Sequence, residues 1–495
     1  MNFLGIDLGT SEVKVVLLAE DHAVLAQQAA PLVVSRPHPQ WSEQEPSAWW
    51  AATCHALDQL AARAGPAAMG RVAGIGLSGQ MHGAVVLDRA QAVLRPAILW
   101  NDGRSVAECA LLTERVPALG SIAGNLAMPG FTAPKLLWLQ RHEPALFDRI
   151  DKVLLPKDWL RLQLTAECVS EMSDAAGTLW LDVGRRQWSP ELLAAGGLTL
   201  GHMPRLVEGS AISGHLRQDL AQRWAMGRAV VVAGGAGDNA ASAVGIGAVR
   251  PGSGFVSLGT SGVLFVTTDR FRPNPALAVH AFCHAVPQRW HQMSVMLSAA
   301  SALQWLAGVT GDPPIAALVE QIGHLDTACR MRAPLFLPYL SGERTPHNDP
   351  LAHGALVGLS LDHGRVELAY AVMEGVSFGL RDGLLALQQA GTQVEQLSLV
   401  GGGARSTAWA RQLASVLGVQ IVTHAGGEAG AALGAARLAW LACGGDEAAV
   451  CRAPVITASF EPQAEERAYL LERHTRFAAL YPALRPSFHH TPAQA

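Results

Sequence analysis

Three stretches set acids, hydroxyls and glycines at the ends of apolar runs. In Gly5-Ile6-Asp7-Leu8-Gly9-Thr10-Ser11 a carboxylate ends a strand-like run and a Gly-Thr-Ser turn follows it. A carboxylate and a phosphate need a divalent cation between them. Asp7 is therefore a candidate Mg²⁺ partner, direct or through water, while Gly9, Thr10 and Ser11 offer amides and hydroxyls to phosphate oxygens. The same residues also suit an ordinary hairpin turn in which Asp7 bonds backbone amides. In Ala233-Gly234-Gly235-Ala236-Gly237-Asp238-Asn239-Ala240, Asp238 opens a helix-forming stretch, where free N–H groups and the dipole favour an ionised carboxylate. There it could accept a hydroxyl proton as general base, or serve only as a helix cap. An aspartate of ordinary pKa, about 4, is ionised at neutral pH and needs no tuning for that work. In Val400-Gly401-Gly402-Gly403-Ala404-Arg405-Ser406 three glycines at a strand-to-helix junction permit flat contact with a nucleotide base or ribose, though such turns also occur without a ligand.

Other polar clusters carry less. Gln80-Met81-His82-Gly83 and Trp100-Asn101-Asp102-Gly103-Arg104 bring together the groups a polyol site needs, or are polar loops. His280-Ala281-Phe282-Cys283-His284 invites a zinc reading, but a further ligand at metal spacing is missing and His280, Phe282 and His284 would share a strand face. Ser78 lies outside a GxSxG elbow, and neither GxGxxG nor a P-loop stands where either motif requires.

The elements that must position these residues alternate. Residues 3 to 8 and 13 to 18 read as a hairpin around Gly9 to Glu12, residues 47 to 64 as a helix ending at Gly65-Pro66, and 229 to 233 and 396 to 400 as short strands. Alternation of strand and helix implies an α/β architecture. Leu8-Gly9-Thr10-Ser11 returns as Leu258-Gly259-Thr260-Ser261 in the same strand-turn-strand context, which favours two related halves with a boundary near 249 to 253. The expected division is 1–248, 249–485 and a frayed tail over 486–495. A formal net charge of −4 without basic runs leaves no footprint for nucleic acid or anionic membranes. Seven scattered cysteines without a CxxC pair fit reduced thiols in a cytoplasm, and neither a signal peptide nor a membrane span is visible.

Taken in this order, the motifs resemble the FGGY carbohydrate kinases of the actin, Hsp70 and hexokinase superfamily. One family signature is matched by Gly130-Phe131-Thr132-Ala133-Pro134-Lys135-Leu136-Leu137-Trp138-Leu139, the other by Gly354 through Glu374. Gln80 to Gly83, Trp100 to Arg104, Leu155-Pro156-Lys157-Asp158 and Ser341 to His347 are most similar to the xylulokinase branch, which implies D-xylulose as acceptor. The resemblance implies two ribonuclease-H-like domains facing a central cleft, the first binding sugar and the second nucleotide. It makes Asp7 the acid near Mg²⁺ and Asp238 the catalytic base. Met81, His82, Asp238 and Asn239, with Asn101 and Asp102, would meet the sugar. Gly9, Thr10, Ser11, Lys14, Gly259, Thr260, Ser261, Gly401, Gly402, Gly403 and Ala404 would meet ATP. A homodimer is a common assembly in the family. Two departures are visible: Glu12 stands where glycine is common, placing a negative charge near the phosphate path, and Ser415 stands where an acid is common, with a slight expected effect on nucleotide fit. Rival readings are the same chemistry on L-ribulose, L-fuculose, glycerol or gluconate, an actin- or Hsp70-like nucleotide switch, and a silent sugar sensor.

Overall fold

In the strand Asn2–Leu8, residues Leu4, Ile6 and Leu8 turn to one side and are fully buried beneath the helix Pro46–Ala64. The opposite side carries Phe3, Gly5 and Asp7, a set that leaves room for a close neighbour and ends on an acid. This strand pairs antiparallel with Glu12–Ala19 and parallel with Val72–Gly79, in a seven-stranded sheet that also holds Val24–Pro31, Ile212–His215, Val231–Ala233 and Ala236–Gly237. A second seven-stranded sheet repeats the plan. Its hairpin Ser253–Leu258 and Gly262–Thr268 pairs parallel with Gln396–Val400, and the two Leu-Gly-Thr-Ser segments occupy the same hairpin turn in the two sheets. The α/β class and the paired sheets agree with the sequence expectation. The computed structural model describes residues 1–425 and 430–489.

The two halves of the chain do not stay apart in space. Helix Gly430–Ala442, late in the sequence, lies across the first sheet: a Cβ on Gly5 would stand 1.8 Å from the Ala432 carbonyl oxygen, and one on Gly76 1.8 Å from that of Ala435. Only backbone without side chains permits that approach. The same helix crosses Asp238–Ile246, where a Cβ on Gly434 would be 1.7 Å from Ala241 O, and Trp440 stacks on Phe3 with ring centres 5.1 Å apart. One hydrophobic core joins Leu136, Leu179 and Ile246 of the first half to Phe255, Phe265 and Phe282 of the second.

The C-terminal end also differs from expectation. Helix Ala464–Phe488 packs Leu470 and Phe477 against Leu335, Tyr339, Phe378 and Val416, and pairs Arg473 with Glu374 at 2.6 Å. It runs past residue 486, where the frayed tail was expected to begin, because its last turn is anchored: His489 Nε2 lies 2.8 Å from Asp349 Oδ2. Residues 490–495 lie outside the described residues. Ser415 takes part in this docking. Its hydroxyl donates to Glu466 at 2.7 Å and accepts from the Gln463 amide at 3.2 Å, so it seats the terminal helix. Among the described residues, no helix is long and apolar enough to cross a membrane.

Candidate active site

Strand Val72–Gly79 brings the two acids together. Its Ser78 and Gly79 are flanked by Asp7 and Leu8 on one side and by Ala236 and Gly237 on the other, so Asp7 and the residue before Asp238 sit two strands apart, about 10 Å between backbones. The side chains interact. Asp238 has its pKa pushed up to about 7, first by burial and second by the charge of Asp7, against bonds donated by Asn239 N at 2.7 Å and Nδ2 at 3.0 Å. The ordinary value of about 4 expected from sequence is thereby corrected, since removal from water and a like charge both disfavour the ion. Asp7 is raised to about 6 by burial, with the Ser78 hydroxyl and Lys14 favouring the ion and Glu12 opposing it. Glu12 is exposed, yet its charge reaches the site. Among the described residues, Asp7 Oδ1 is buried without a hydrogen-bond donor. A carboxylate oxygen left bare beside a second acid fits a divalent cation.

The two Gly-Thr-Ser turns are braced from behind. Thr10 Oγ1 donates to Gln80 Oε1 and accepts from Trp100 Nε1, both at 3.0 Å, while Gln44 Nε2 donates to Thr10 O at 2.8 Å. Ser11 is exposed at the turn, and Lys14 faces Asp7 across the hairpin. In the second turn the amides of Ala299 and Ala300 donate to Thr260 O and Gly259 O at 2.9 and 2.8 Å, and the side chains of Thr260 and Ser261 stay exposed. Gly401, with φ of 86°, lies against the backbone of Leu258, and a Cβ on Gly403 would come within 2.4 Å of the Leu258 side chain. Gly401 to Ala404 are thus packed beside the second turn.

The candidate sugar residues adjoin Asp238. Met81 is wedged between Gly237 and Gly177, whose added Cβ atoms would meet it at 2.8 and 3.0 Å. His82 adopts φ of 70°, and its Nδ1 lies 2.7 Å from Gly177 O. A carbonyl can only accept, so the proton is on Nδ1 and Nε2 is an acceptor. Burial holds the His82 pKa down at about 3. The backbone carbonyl of His82 is held by Thr132 Oγ1 at 3.1 Å and Lys135 Nζ at 3.2 Å, which gives the Gly130 to Leu139 segment a physical task. Burial pulls Lys135 down to about 7. Asp7, Thr10, His82, Asp238 and Asn239 are each half-buried.

Asp102 is a correction. Its carboxylate accepts from Ser42 N at 2.6 Å and from Arg104 N, Nε and Nη2 at 3.0, 2.9 and 2.7 Å, so it folds its own loop and has no oxygen to spare for a sugar. Asn101 is exposed on that loop. His280 and His284 do not share a ligand either: His280 Nδ1 bonds Asn125 Oδ1 at 2.8 Å, and His284 Nδ1 accepts from Val286 N at 3.1 Å.

Sequence reasoning missed the support beneath Asp238. Buried Lys157 lies 2.7, 3.2 and 3.5 Å from Asp158, Asp174 and Glu171. Arg161 bonds Asp158 at 2.8 Å and also Gly234 O, while Ser173 Oγ accepts from Gly237 N at 3.1 Å and donates to Glu171. Burial pushes Asp174 well above the usual carboxylate range. The cluster holds the loop that ends at Asp238. Lys157 and Asp158 were visible as a motif, but Glu171 and Asp174 carried no signal, because a buried acid and a surface acid read alike in sequence. Gln44, which orders the first turn, was equally silent.

Comparison with known proteins agrees with this geometry. Residues 2–245 match the N-terminal domain of the FGGY family of carbohydrate kinases and residues 254–443 its C-terminal domain. The chain is 52% identical to the xylulose kinase of Escherichia coli (strain K12) over 487 residues, 98% of this chain and 99% of that protein. Its fold is similar to the crystal structure described as a xyloylose kinase from Brucella ovis, with TM-score 0.95, 51% identity and coverage of 98% and 100%. It is similar also to xylulose kinase from Rhodospirillum rubrum, with TM-score 0.91, 29% identity and coverage of 99% and 100%. With both domains matched, at identities far above what the fold alone would explain, the chain belongs to the FGGY family of carbohydrate kinases.

Proposed function

We propose that this chain transfers the γ-phosphoryl group of ATP to the 5-hydroxyl of D-xylulose. The observation that carries the reading is the convergence of Asp7 and Asp238 at the ends of two strands that flank Val72–Gly79, beside a Gly-Thr-Ser turn that has a counterpart in the second sheet. Identity of 52% over nearly the full length of a xylulose kinase supports the choice of acceptor.

Asp238 takes the proton of the 5-hydroxyl as the bond from that oxygen to the γ-phosphorus forms and the bond to the β-phosphate oxygen breaks, leaving ADP. Asp7 would hold Mg²⁺, directly or through water, and the ion would supply charge neutralisation on the phosphates. The transition state is loose, so alignment by the two turns contributes most of the acceleration. Gly401 to Ala404 border the adenosine. The same proposal places the enzyme in the cytoplasm as a homodimer, which sedimentation would check.

ADP release measured with D-xylulose, L-ribulose, L-fuculose, glycerol and gluconate tests the acceptor; turnover fastest on another sugar would replace D-xylulose, and no sugar-stimulated turnover would leave a nucleotide switch. Asp238→Ala should lower kcat by roughly 10²- to 10⁴-fold with ATP affinity kept, and full turnover in that variant rejects the base. Asp7→Ala should raise the Mg²⁺ concentration needed for half-maximal rate.

A further inference from the structure

His280, at the start of strand His280–Cys283, has no task in the phosphoryl transfer described above. This strand is the edge of the second sheet, and it lies against the first half of the chain. Asn125 donates from Nδ2 to Ala123 O at 2.9 Å and to Ala281 O at 3.1 Å, which aims its Oδ1 at His280 Nδ1, 2.8 Å away. An amide oriented by two carbonyls presents only its oxygen there. The His280 proton is therefore on Nδ1, and Nε2 keeps its lone pair. His82 is arranged in the same way on Gly177 O.

The two rings share one aromatic wall. His82 is 4.6 Å from Phe131 and 6.2 Å from Phe282; His280 is 5.7 Å from Phe131 and 5.6 Å from Phe282. Among the described residues neither Nε2 has a hydrogen-bond partner, and neither is sealed from solvent. His291 and His284 differ, since both nitrogens of the first and Nε2 of the second are sealed and without a partner among the described residues.

Arg344 belongs to the same corner. Thr345 Oγ1 donates to Ala278 O at 3.0 Å and accepts from Val295 N at 3.1 Å, pinning this loop across the ends of strands His280–Cys283 and Trp290–Met296. The neighbouring Glu343 spends Oε1 on the amides of Leu297 and Arg344, at 3.2 and 2.7 Å. The Arg344 guanidinium has no hydrogen bond or ion pair among the described residues and is not sealed. Burial keeps both imidazoles neutral, and the charge of Arg344 adds to that effect on each.

We propose that His280 and Arg344, supplied by the second half of the chain, bind hydroxyls of the acceptor sugar opposite His82 and so set which ketopentose is accepted. The inference rests on the reading of this chain as a ketopentose kinase. A sugar hydroxyl both donates and accepts. Each imidazole Nε2 can accept a hydrogen bond from one hydroxyl and the guanidinium fork can donate to a hydroxyl oxygen, while the Phe131 and Phe282 wall suits the carbon chain. Met81 separates His82 from Gly237, so this corner would hold hydroxyls remote from the one beside Asp238.

Steady-state kinetics of His280→Ala, His280→Phe and Arg344→Met, with D-xylulose and its 1-deoxy, 3-deoxy and 4-deoxy analogues, tests it. The KM for D-xylulose should rise roughly 10- to 100-fold in each variant, the size of a lost hydrogen bond in a site built for a hydroxyl. KM for ATP should stay within about threefold, because these residues face the sugar. Each variant's penalty should vanish on the one analogue lacking its hydroxyl. An unchanged KM for D-xylulose in His280→Phe and Arg344→Met overturns the inference, as does an equal penalty on every analogue. Should His280→Ala not fold, His280→Phe keeps the ring volume and carries the test. A wild-type enzyme idle on all ketopentoses would instead remove the proposed function itself.

Discussion

Asp238 sits where burial and the nearby charge of Asp7 make it harder to ionise, and this sets the pH at which the site can work. A carboxyl raised to about 7 holds its proton below that pH and is a base only above it. The acid limb of kcat/KM for D-xylulose should fall near pH 7, about three units above the limb an ordinary aspartate would give, and a pH-rate profile reads it directly. Because the charge of Asp7 is the second cause of the shift, Asp7→Asn should lower the Asp238 value, as carboxyl titration by NMR on the free enzyme would register. Both acids stood out as candidates in sequence, since Asp7 ends a strand-like run before a glycine turn and Asp238 opens a helix after one. Their tuning did not. It arises from burial and from the approach of two residues far apart in the chain, neither of which a local motif carries. Asp102 failed for the related reason that a loop acid reads the same whether it meets a ligand or, as here, Arg104 and Ser42.

At the scale of elements, the hairpins and the helix Pro46–Ala64 were legible because alternation and terminal glycine are local signals. The helix Gly430–Ala442 was not assigned to the first sheet, since nothing in an alanine-rich run names the surface it will cover. The glycines that receive it hold the information, and they are scattered over Gly5, Gly74 and Gly76. Adding one methyl there tests the contact. Gly76→Ala would place carbon 1.8 Å from a backbone oxygen, so the helix must move. That overpacking should cost about 3 kcal/mol, seen as a lower midpoint in urea unfolding, and it should lower kcat as well, because the crossing partner Asp238–Ile246 begins at the proposed base.

For the molecule as a whole, the two-sheet plan followed from the repeated Leu-Gly-Thr-Ser segments, whereas the exchange of packing between the halves had no sequence signature. The exchange bears on how such a protein can be recombined. If two relatives are spliced near residue 249, each hybrid sets one parent's helix on the other parent's glycine bed, with contacts too tight to absorb a mismatch. Hybrids in which 430–442 travels with 1–248 should retain soluble yield and turnover more often than hybrids cut once, and a library of both kinds would reveal it. The unit of inheritance for the first lobe is then discontinuous: a long opening passage together with a short one written much later in the gene.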